Sequence, residues 1–328
     1  MRILITAPYN DKARSVLEQV FGEIIYRPWK PHGRAYNEAE LLALLKETKA
    51  EALITEHDQV TQTVIERNPA LQFIGVCRGT PSNVSVETAK RLGIPVFHTP
   101  ARNAQAVAEM FIANVITLMR NTIAGWQWLQ AGKWEKGAHT SYLQFKGNEL
   151  EGKTIGMVGF GAVGQRIARL VKIFPCQVQF FDPFVHTFDQ DYKKIELEEL
   201  FETSDIVSIH LPVNDQTKGM IDRRLLSKMK KEAIFVNTAR AIVVNRYDLL
   251  EVLEKNLIRG AVLDVFDHEP PDDIDNKIIH LPNVLATPHI AGATFEVEDH
   301  HATIMNEALL NNFAVESTGK KKFFNFIL

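Results

Sequence analysis

Cysteine is nearly absent from this chain: there are two in 328 residues, Cys77 and Cys176. Two cannot make a disulfide framework, and neither has metal-ligand spacing, so no metal centre is expected. Each reads as a small buried hydrophobe, and a reducing cytoplasm is the default compartment. Charge of one sign is also lacking. The net charge of −3 gives no electrostatic reason to expect nucleic acid or an anionic membrane as partner. The basic run Lys320–Lys322 reads as solvated surface. No secretory leader is expected, because MRILITAP is strand-like from the start. No apolar run suits a bilayer. The longest helical one, residues 104–119, is interrupted by Gln105, Glu109, Asn114 and Thr117. Repeats and low-complexity segments are missing too. The 45% hydrophobic and 23% charged content is that of an ordinary globular protein, and the length suggests about two domains.

What is present centres on KTIGMVGFGAVGQRIARLVKIFPCQVQFFDP, residues 153–183. An apolar run, Thr154 to Val158, reads as a buried strand. Gly159, Gly161 and Gly164 follow with G-x-G-x-x-G spacing. Val163, Ile167, Leu170, Val171 and Phe174 then recur at helical spacing. A second strand, Val178 to Phe181, ends at Asp182. In such a unit the first glycine makes the tight turn, the second admits a pyrophosphate, and the third lets helix pack on strand. The helix start, from Ala162 and Val163, offers free N–H groups to that pyrophosphate. Asp182 stands where an acid bonds the adenine ribose hydroxyls. A carboxylate there favours NAD, and Pro183, Phe184 and Val185 supply no arginine for the extra phosphate of NADP.

Strand and helix patterns alternate elsewhere. Residues 1–100 carry strands at Arg2–Ala7, Ile24–Tyr26, Ala52–Thr55, Phe73–Cys77 and Ile94–Phe97, with helical segments between them. Such alternation implies an α/β fold with a parallel sheet covered on both faces. This half has no glycine fingerprint, so it is expected to supply substrate contacts. Asn103 can cap a helix running to about Arg120, nearly all of whose sides are apolar; it reads either as a core helix or as an inter-domain or dimer helix. The segment with Trp126, Trp128 and Trp134 reads as a loop on a partner subunit or as a core anchor. After the fingerprint come strands at Ile206–Leu211, Ile234–Asn237, Ala261–Val265 and 284–287. A helical pattern follows from about Thr294 to Phe313, and the chain closes on FFNFIL.

Three residues after the fingerprint fall at strand ends, where ligands sit in open parallel sheets. Arg240 follows IFVNTA, Glu269 follows GAVLDVFDH, and His289 follows VLATP. Singly, each has a plainer reading: a surface ion pair, a loop acid before Pro270, a structural histidine. Together they place a cation, an acid and a titratable base on one side of a sheet.

With these residues the sequence resembles the D-isomer-specific 2-hydroxyacid dehydrogenase family, especially its phosphoglycerate-dehydrogenase-like branch. The matching stretches are LEGKTIGMVGFGAVGQRIA, FVNTARA, GAVLDVFDHEP, LPNVLATPHIAGAT and CRGTPSNVSVETAKRLGIPVFHTPARNAQAVAE, which cover most of residues 72–295. The resemblance implies two doubly wound parallel-sheet domains. Residues 1–100 with 295–328 would form a flavodoxin-like substrate domain, and 101–294 a Rossmann NAD-binding domain. It implies that Arg240 holds the substrate carboxylate and carbonyl, that His289 exchanges a proton with the C2 oxygen, and that Glu269 pairs with that histidine. A bidentate guanidinium suits a planar 2-oxo acid, and a carboxylate partner orients an imidazole and favours its protonated form. Arg78, Gly79 and Thr80 match the substrate loop, and Asp264 an aspartate near the nicotinamide amide. Thr238, Ala239, Arg240 and His289 would line the same crevice, with Leu211 and Pro212 near the adenosine. The family is usually dimeric through the cofactor domain, and closure of its cleft would exclude water.

Departures from the pattern bear on the substrate. Glu56 stands in Thr55-Glu56-His57 where phosphoglycerate dehydrogenases commonly carry arginine and serine; it opposes a phosphate and could accept bonds from substrate hydroxyls. Arg78 replaces a frequent glycine, and reads as a contact to a second substrate group or as a surface ion pair. Asn245-Arg246 replaces a frequent Asp-Glu pair, and Ala241 a frequent glycine. With the chain ending at Leu328, no appended regulatory domain is expected. The first functional expectation is an NAD-dependent oxidoreductase acting on a D-2-hydroxy acid or its 2-oxo form. The second is an NAD(H)-sensing, corepressor-like scaffold without significant turnover, against which the lack of an interaction tail weighs.

Overall fold

The computed structural model describes residues 1–134 and 138–314. The Lys320–Lys322 run and FFNFIL lie outside the described residues. The chain divides into two compact units: Met1–Asn103 with the segment from Thr294 onward, and Ala104–Ala293.

The first unit holds a five-stranded sheet built from β1 (Ile3–Ile5), β2 (Ile24–Tyr26), β3 (Ala52–Thr55), β4 (Ile74–Val76) and β5 (Val96–His98). Its order is β2-β1-β3-β4-β5, and all pairs are parallel. Side chains alternate between two apolar layers, as the pleat demands. Ile3, Ile5 and Ile54 face Leu17 and Phe21 of the helix Asp11–Phe21, and Met305 and Leu309 of the helix Glu296–Ala314. Leu4, Leu53, Ile74 and Val96 face Leu41 and Leu45 of the helix Glu38–Thr48 on the other side. Burial on both faces is why these strands read as continuous apolar runs. Gly75 lets the last helix come close, since a Cβ there would lie 2.9 Å from Met305 Sδ. Local signals set the helix starts: the Asn10 side chain accepts from Ala13 N at 2.7 Å, and Asn37 with Glu40 forms a capping box.

The second unit holds seven parallel strands: β6 (Thr154–Val158), β7 (Gln177–Phe181), β8 (Tyr192–Lys194), β9 (Ile206–Ile209), β10 (Ile234–Asn237), β11 (Gly260–Leu263) and β12 (Val284–Ala286). The order is β12-β11-β10-β9-β6-β7-β8. It runs one way from β6 through β7 and the other way through β9. The crevice at the carboxyl ends of β6 and β9 is therefore the switch point where such sheets bind ligands.

The helix Ala104–Met119 packs within its own unit. Phe111, Val115 and Met119 share a core with Ile155, Met157 and Phe180, which favours its reading as a core helix. The tryptophan segment is not a loop: Thr122–Gln130 and Ala138–Gln144 are helices. Nor is it wholly a core anchor, because Trp126 is 55% and Trp134 is 54% exposed, while Trp128 rests edge-on against Phe145.

Candidate active site

All seven strands of the second sheet run the same way, so their carboxyl ends share one edge. That edge carries the fingerprint loop after β6, Asp182 after β7, Leu211 and Pro212 after β9, Thr238–Arg240 after β10, Asp264 after β11 and His289 after β12.

The three glycines meet different surroundings. Gly159 has φ +92°, and a Cβ on it would lie 2.6 Å from the His210 carbonyl oxygen at the end of β9, with Leu211 Cδ2 at 3.3 Å. A Cβ on Gly164 would lie 2.9 Å from the Gly159 oxygen, which is the close packing of helix on turn. Gly161 has nothing within 4 Å of that position. It precedes the helix Ala162–Val171, whose start no side chain caps. Open space before uncapped helical N–H groups suits an anionic pyrophosphate, so these residues fit a dinucleotide. Asp182 accepts from Phe160 N at 2.8 Å and Phe184 N at 2.9 Å, one bond to each oxygen. Each oxygen keeps lone-pair capacity for ribose hydroxyls.

After β10 the backbone turns on Asn237. Its side chain accepts from Ala239 N and donates to the Arg240 carbonyl, both at 3.0 Å. The Arg240 side chain donates to the Ala239 oxygen at 2.7 Å and is otherwise exposed. Thr238 Oγ1 is buried without a hydrogen-bond partner.

Asp264 is fully buried, and its carboxylate holds the loop after β12. Oδ1 accepts from Thr287 Oγ1 at 2.6 Å and Ile290 N at 2.9 Å; Oδ2 accepts from Ala291 N at 2.8 Å. His289 lies inside that loop with φ +54°, a backbone conformation uncommon outside glycine. Its Nδ1 lies 2.8 Å and 3.0 Å from the two oxygens of Glu269. Glu269 begins the cis peptide to Pro270 and also faces Phe266 N at 3.4 Å. Neither His289 nor Glu269 is buried, so the pair is open to a reactant. The structure thus brings His289 and Glu269 into contact and places Arg240 on the same edge two strands away.

The first unit has its own cluster at the ends of β3 and β4. Glu56 is buried rather than open to a ligand. Its Oε1 meets Arg102 Nη1 at 2.6 Å, and its Oε2 accepts from Trp29 Nε1 at 3.2 Å. Arg102 Nη1 also donates to His301 Nδ1 at 2.9 Å, while His301 Nε2 donates to the Pro8 carbonyl at 2.6 Å. These bonds specify a neutral His301, in keeping with burial lowering its pKa. Burial likewise lowers the pKa of His57, whose ring stands edge-on to Trp29. The Arg78-Gly79-Thr80 loop is held by Thr99 N on the Arg78 oxygen at 2.9 Å and by His98 Nδ1 on the Gly79 oxygen at 2.9 Å. Gly79 and Thr80 are exposed. Burial pushes the thiol of Cys77 well up and that of Cys176 to about 11, so both stay protonated and unreactive.

The sequence reading missed Trp29, Arg102, His301 and Asn237. Asn237 alone had a local signal, as the polar last residue of an apolar strand. The other three become relevant only once distant segments meet.

Residues 112–291 match the family described as D-isomer specific 2-hydroxyacid dehydrogenase, NAD binding domain. The chain is 58% identical over 309 residues to YoaD of Bacillus subtilis, covering 94% of this chain and 90% of that one. It is 35% identical over 260 residues to a hydroxypyruvate reductase of Thermotoga maritima, covering 79% and 83%. Among solved structures, D-2-hydroxyisocaproate dehydrogenase superposes with a TM-score of 0.81 over 100% of this chain and 99% of that one; at 24% identity it shows the shared fold.

Proposed function

The chain belongs to the D-isomer-specific 2-hydroxyacid dehydrogenase family, and from that premise we propose how its residues divide the work. It is an NAD-dependent oxidoreductase that interconverts a D-2-hydroxy acid and its 2-oxo form. Nothing in the comparisons favours the scaffold alternative.

In our reading His289 is the acid–base. During reduction its imidazolium gives a proton to the C2 oxygen, and during oxidation the neutral ring takes it back. Glu269 on Nδ1 fixes the ring so that Nε2 faces the reacting oxygen, much as a buried acid orients the histidine of a catalytic triad. Arg240 offers paired N–H groups to the substrate carboxylate and carbonyl. By the family resemblance, Arg78, Gly79 and Thr80 form the substrate loop. Bound NADH supplies the hydride for C2. Gly159, Gly161, Ala162, Val163 and Gly164 hold the pyrophosphate, and Asp182 the adenine ribose. Leu211 and Pro212 pack beside the adenosine, while Thr238, Ala239 and the Asp264 loop shape the nicotinamide end. The observation that carries this reading is the 2.8 Å contact between His289 and Glu269 on the fingerprint edge of the sheet.

The substrate is a small unphosphorylated 2-oxo acid. One observation supports this. The 35% identical relative is named for hydroxypyruvate. The test is NADH oxidation with glyoxylate, hydroxypyruvate, 3-phosphohydroxypyruvate and a sugar-derived 2-oxo acid, for wild type and His289→Asn. Asparagine tolerates the left-handed backbone, so the variant changes the chemistry alone. We expect turnover of the unphosphorylated acids and a loss of about 10²–10⁴-fold in His289→Asn. Wild-type rates in that variant would remove His289 from the reaction.

We also place the enzyme in the cytoplasm as a homodimer formed through the second unit. Both thiols are free and inert, which suits a reducing compartment. Among the described residues no helix is long and apolar enough to cross a membrane. Ile123, Trp126, Leu129, Tyr142 and Leu143 leave apolar surface open beside the half-buried Ala104–Met119 helix. Light scattering of wild type and Leu143→Glu tests the dimer: the variant should be monomeric.

A further inference from the structure

Arg246 is out of place by local rules. It opens the helix Arg246–Glu254, where a cation opposes the helix dipole. Its side chain is only 16% exposed and reaches across to the loop that carries Glu269. Nη1 donates to Asp272 Oδ2 at 2.8 Å and lies 3.4 Å from Asp275 Oδ1 and 3.2 Å from His268 Nδ1; Nε lies 3.5 Å from Asp267 Oδ2. His268, Asp272 and Asp275 are grouped closely enough to hold a cation, and this guanidinium is the cation they hold. The same carboxylates also shape the loop backbone. Asp275 is buried and accepts from His268 N at 3.0 Å, while Asp272 caps the helix Asp273–Ile279.

The contacts flank the reactive acid on both sides: Asp267 and His268 precede Glu269, and Asp272 and Asp275 follow it. Without Arg246, the three carboxylates of Asp267, Asp272 and the buried Asp275 would face one another unmatched, and the loop would relax by separating them. We propose that Arg246 is a positioning residue for the reaction, clamping residues 267–275 so that Glu269 meets His289. This rests on the acid–base reading of that pair. An arginine suits the task because its rigid fork spans several carboxylates, which a lysine's point charge does not.

Steady-state reduction of a 2-oxo acid by the full-length enzyme tests it, in wild type, Arg246→Met, Arg246→Lys, Glu269→Gln and the double variant Arg246→Met/Glu269→Gln. A misplaced catalytic group costs up to about 10²-fold. Arg246→Met should therefore lower kcat by about 10-fold or more while the KM for NADH stays within about twofold, and Arg246→Lys should recover part of the loss. Because Arg246 acts through Glu269, the double variant should be no slower than Glu269→Gln alone. Wild-type kcat in Arg246→Met, or losses that multiply in the double variant, would overturn the proposal. Should Arg246→Met fail to fold, Asp272→Asn carries the test, with a fall in kcat expected and wild-type kcat overturning it. Wild-type kcat in Glu269→Gln would instead sink the acid–base reading itself.

Discussion

Replacing Asp264 by asparagine exchanges one buried oxygen for an NH2 group and keeps the shape. Three donors converge on that carboxylate: Thr287 Oγ1 and Ile290 N on one oxygen, and Ala291 N on the other. Whichever way the amide turns, at least one buried backbone N–H faces another donor. One unsatisfied buried group costs about 1–3 kcal/mol, and the surviving bonds lose their charge assistance. A total near 2–4 kcal/mol is therefore expected, and for a unit of this size each kcal/mol lowers the midpoint by about 2–4 °C. Calorimetry should show the second unit melting roughly 5–15 °C below wild type. Since His289 rides on the freed loop, kcat for 2-oxo acid reduction should fall about 10-fold or more in the same protein. A variant that melts and turns over like wild type would refute the idea that this carboxylate holds the loop.

Gly159→Ala should be poorly tolerated, because its φ of +92° and a 2.6 Å approach to the His210 oxygen leave no room for a methyl group; soluble yield and NADH titration measure this, and normal values for both would contradict it. Arg102→Met leaves the buried Glu56 carboxylate without its ion-pair partner. Breaking a buried pair costs about 3–5 kcal/mol, to be read as a lower urea midpoint that Trp29→Phe, which removes only one indole donor, should not match. His210 is held neutral by burial, its pKa pushed down to about 4. The unfolded chain then binds the extra proton first, so stability should fall as pH drops from about 6.5 toward 4. Urea midpoints at pH 7, 5.5 and 4.5 should show that decline in wild type and a shallower one in His210→Gln.

Central strands were readable because they are largely apolar runs, so Ala52–Thr55, Thr154–Val158 and Ile234–Asn237 agree with the structure at both ends, as does the half-buried edge strand Ile24–Tyr26. Edge strand Tyr192–Lys194 has no such run: Lys193 and Lys194 face solvent, and pairing with Phe180 and its neighbours makes it a strand. The helices Leu197–Thr203 and Asp273–Ile279 are too short for a periodic pattern to stand out. Arg240, Glu269 and His289 were singled out because each follows a strand on the fingerprint side of the sheet. Glu56 was misjudged as free to meet substrate hydroxyls. The ion pair that occupies it comes from Arg102, 46 residues away, and only folding reveals such a partner. Arg246 was noticed merely as a departure, since its carboxylates lie more than 20 residues downstream.

Of the fingerprint glycines, only Gly161 borders empty space. The apoprotein has no steric objection to a methyl group there, whereas an incoming diphosphate does. Alanine at this one position should therefore yield a nucleotide-blind protein with its fold intact. Set beside the parent, such a protein separates whatever the polypeptide does by itself from whatever it does only when loaded.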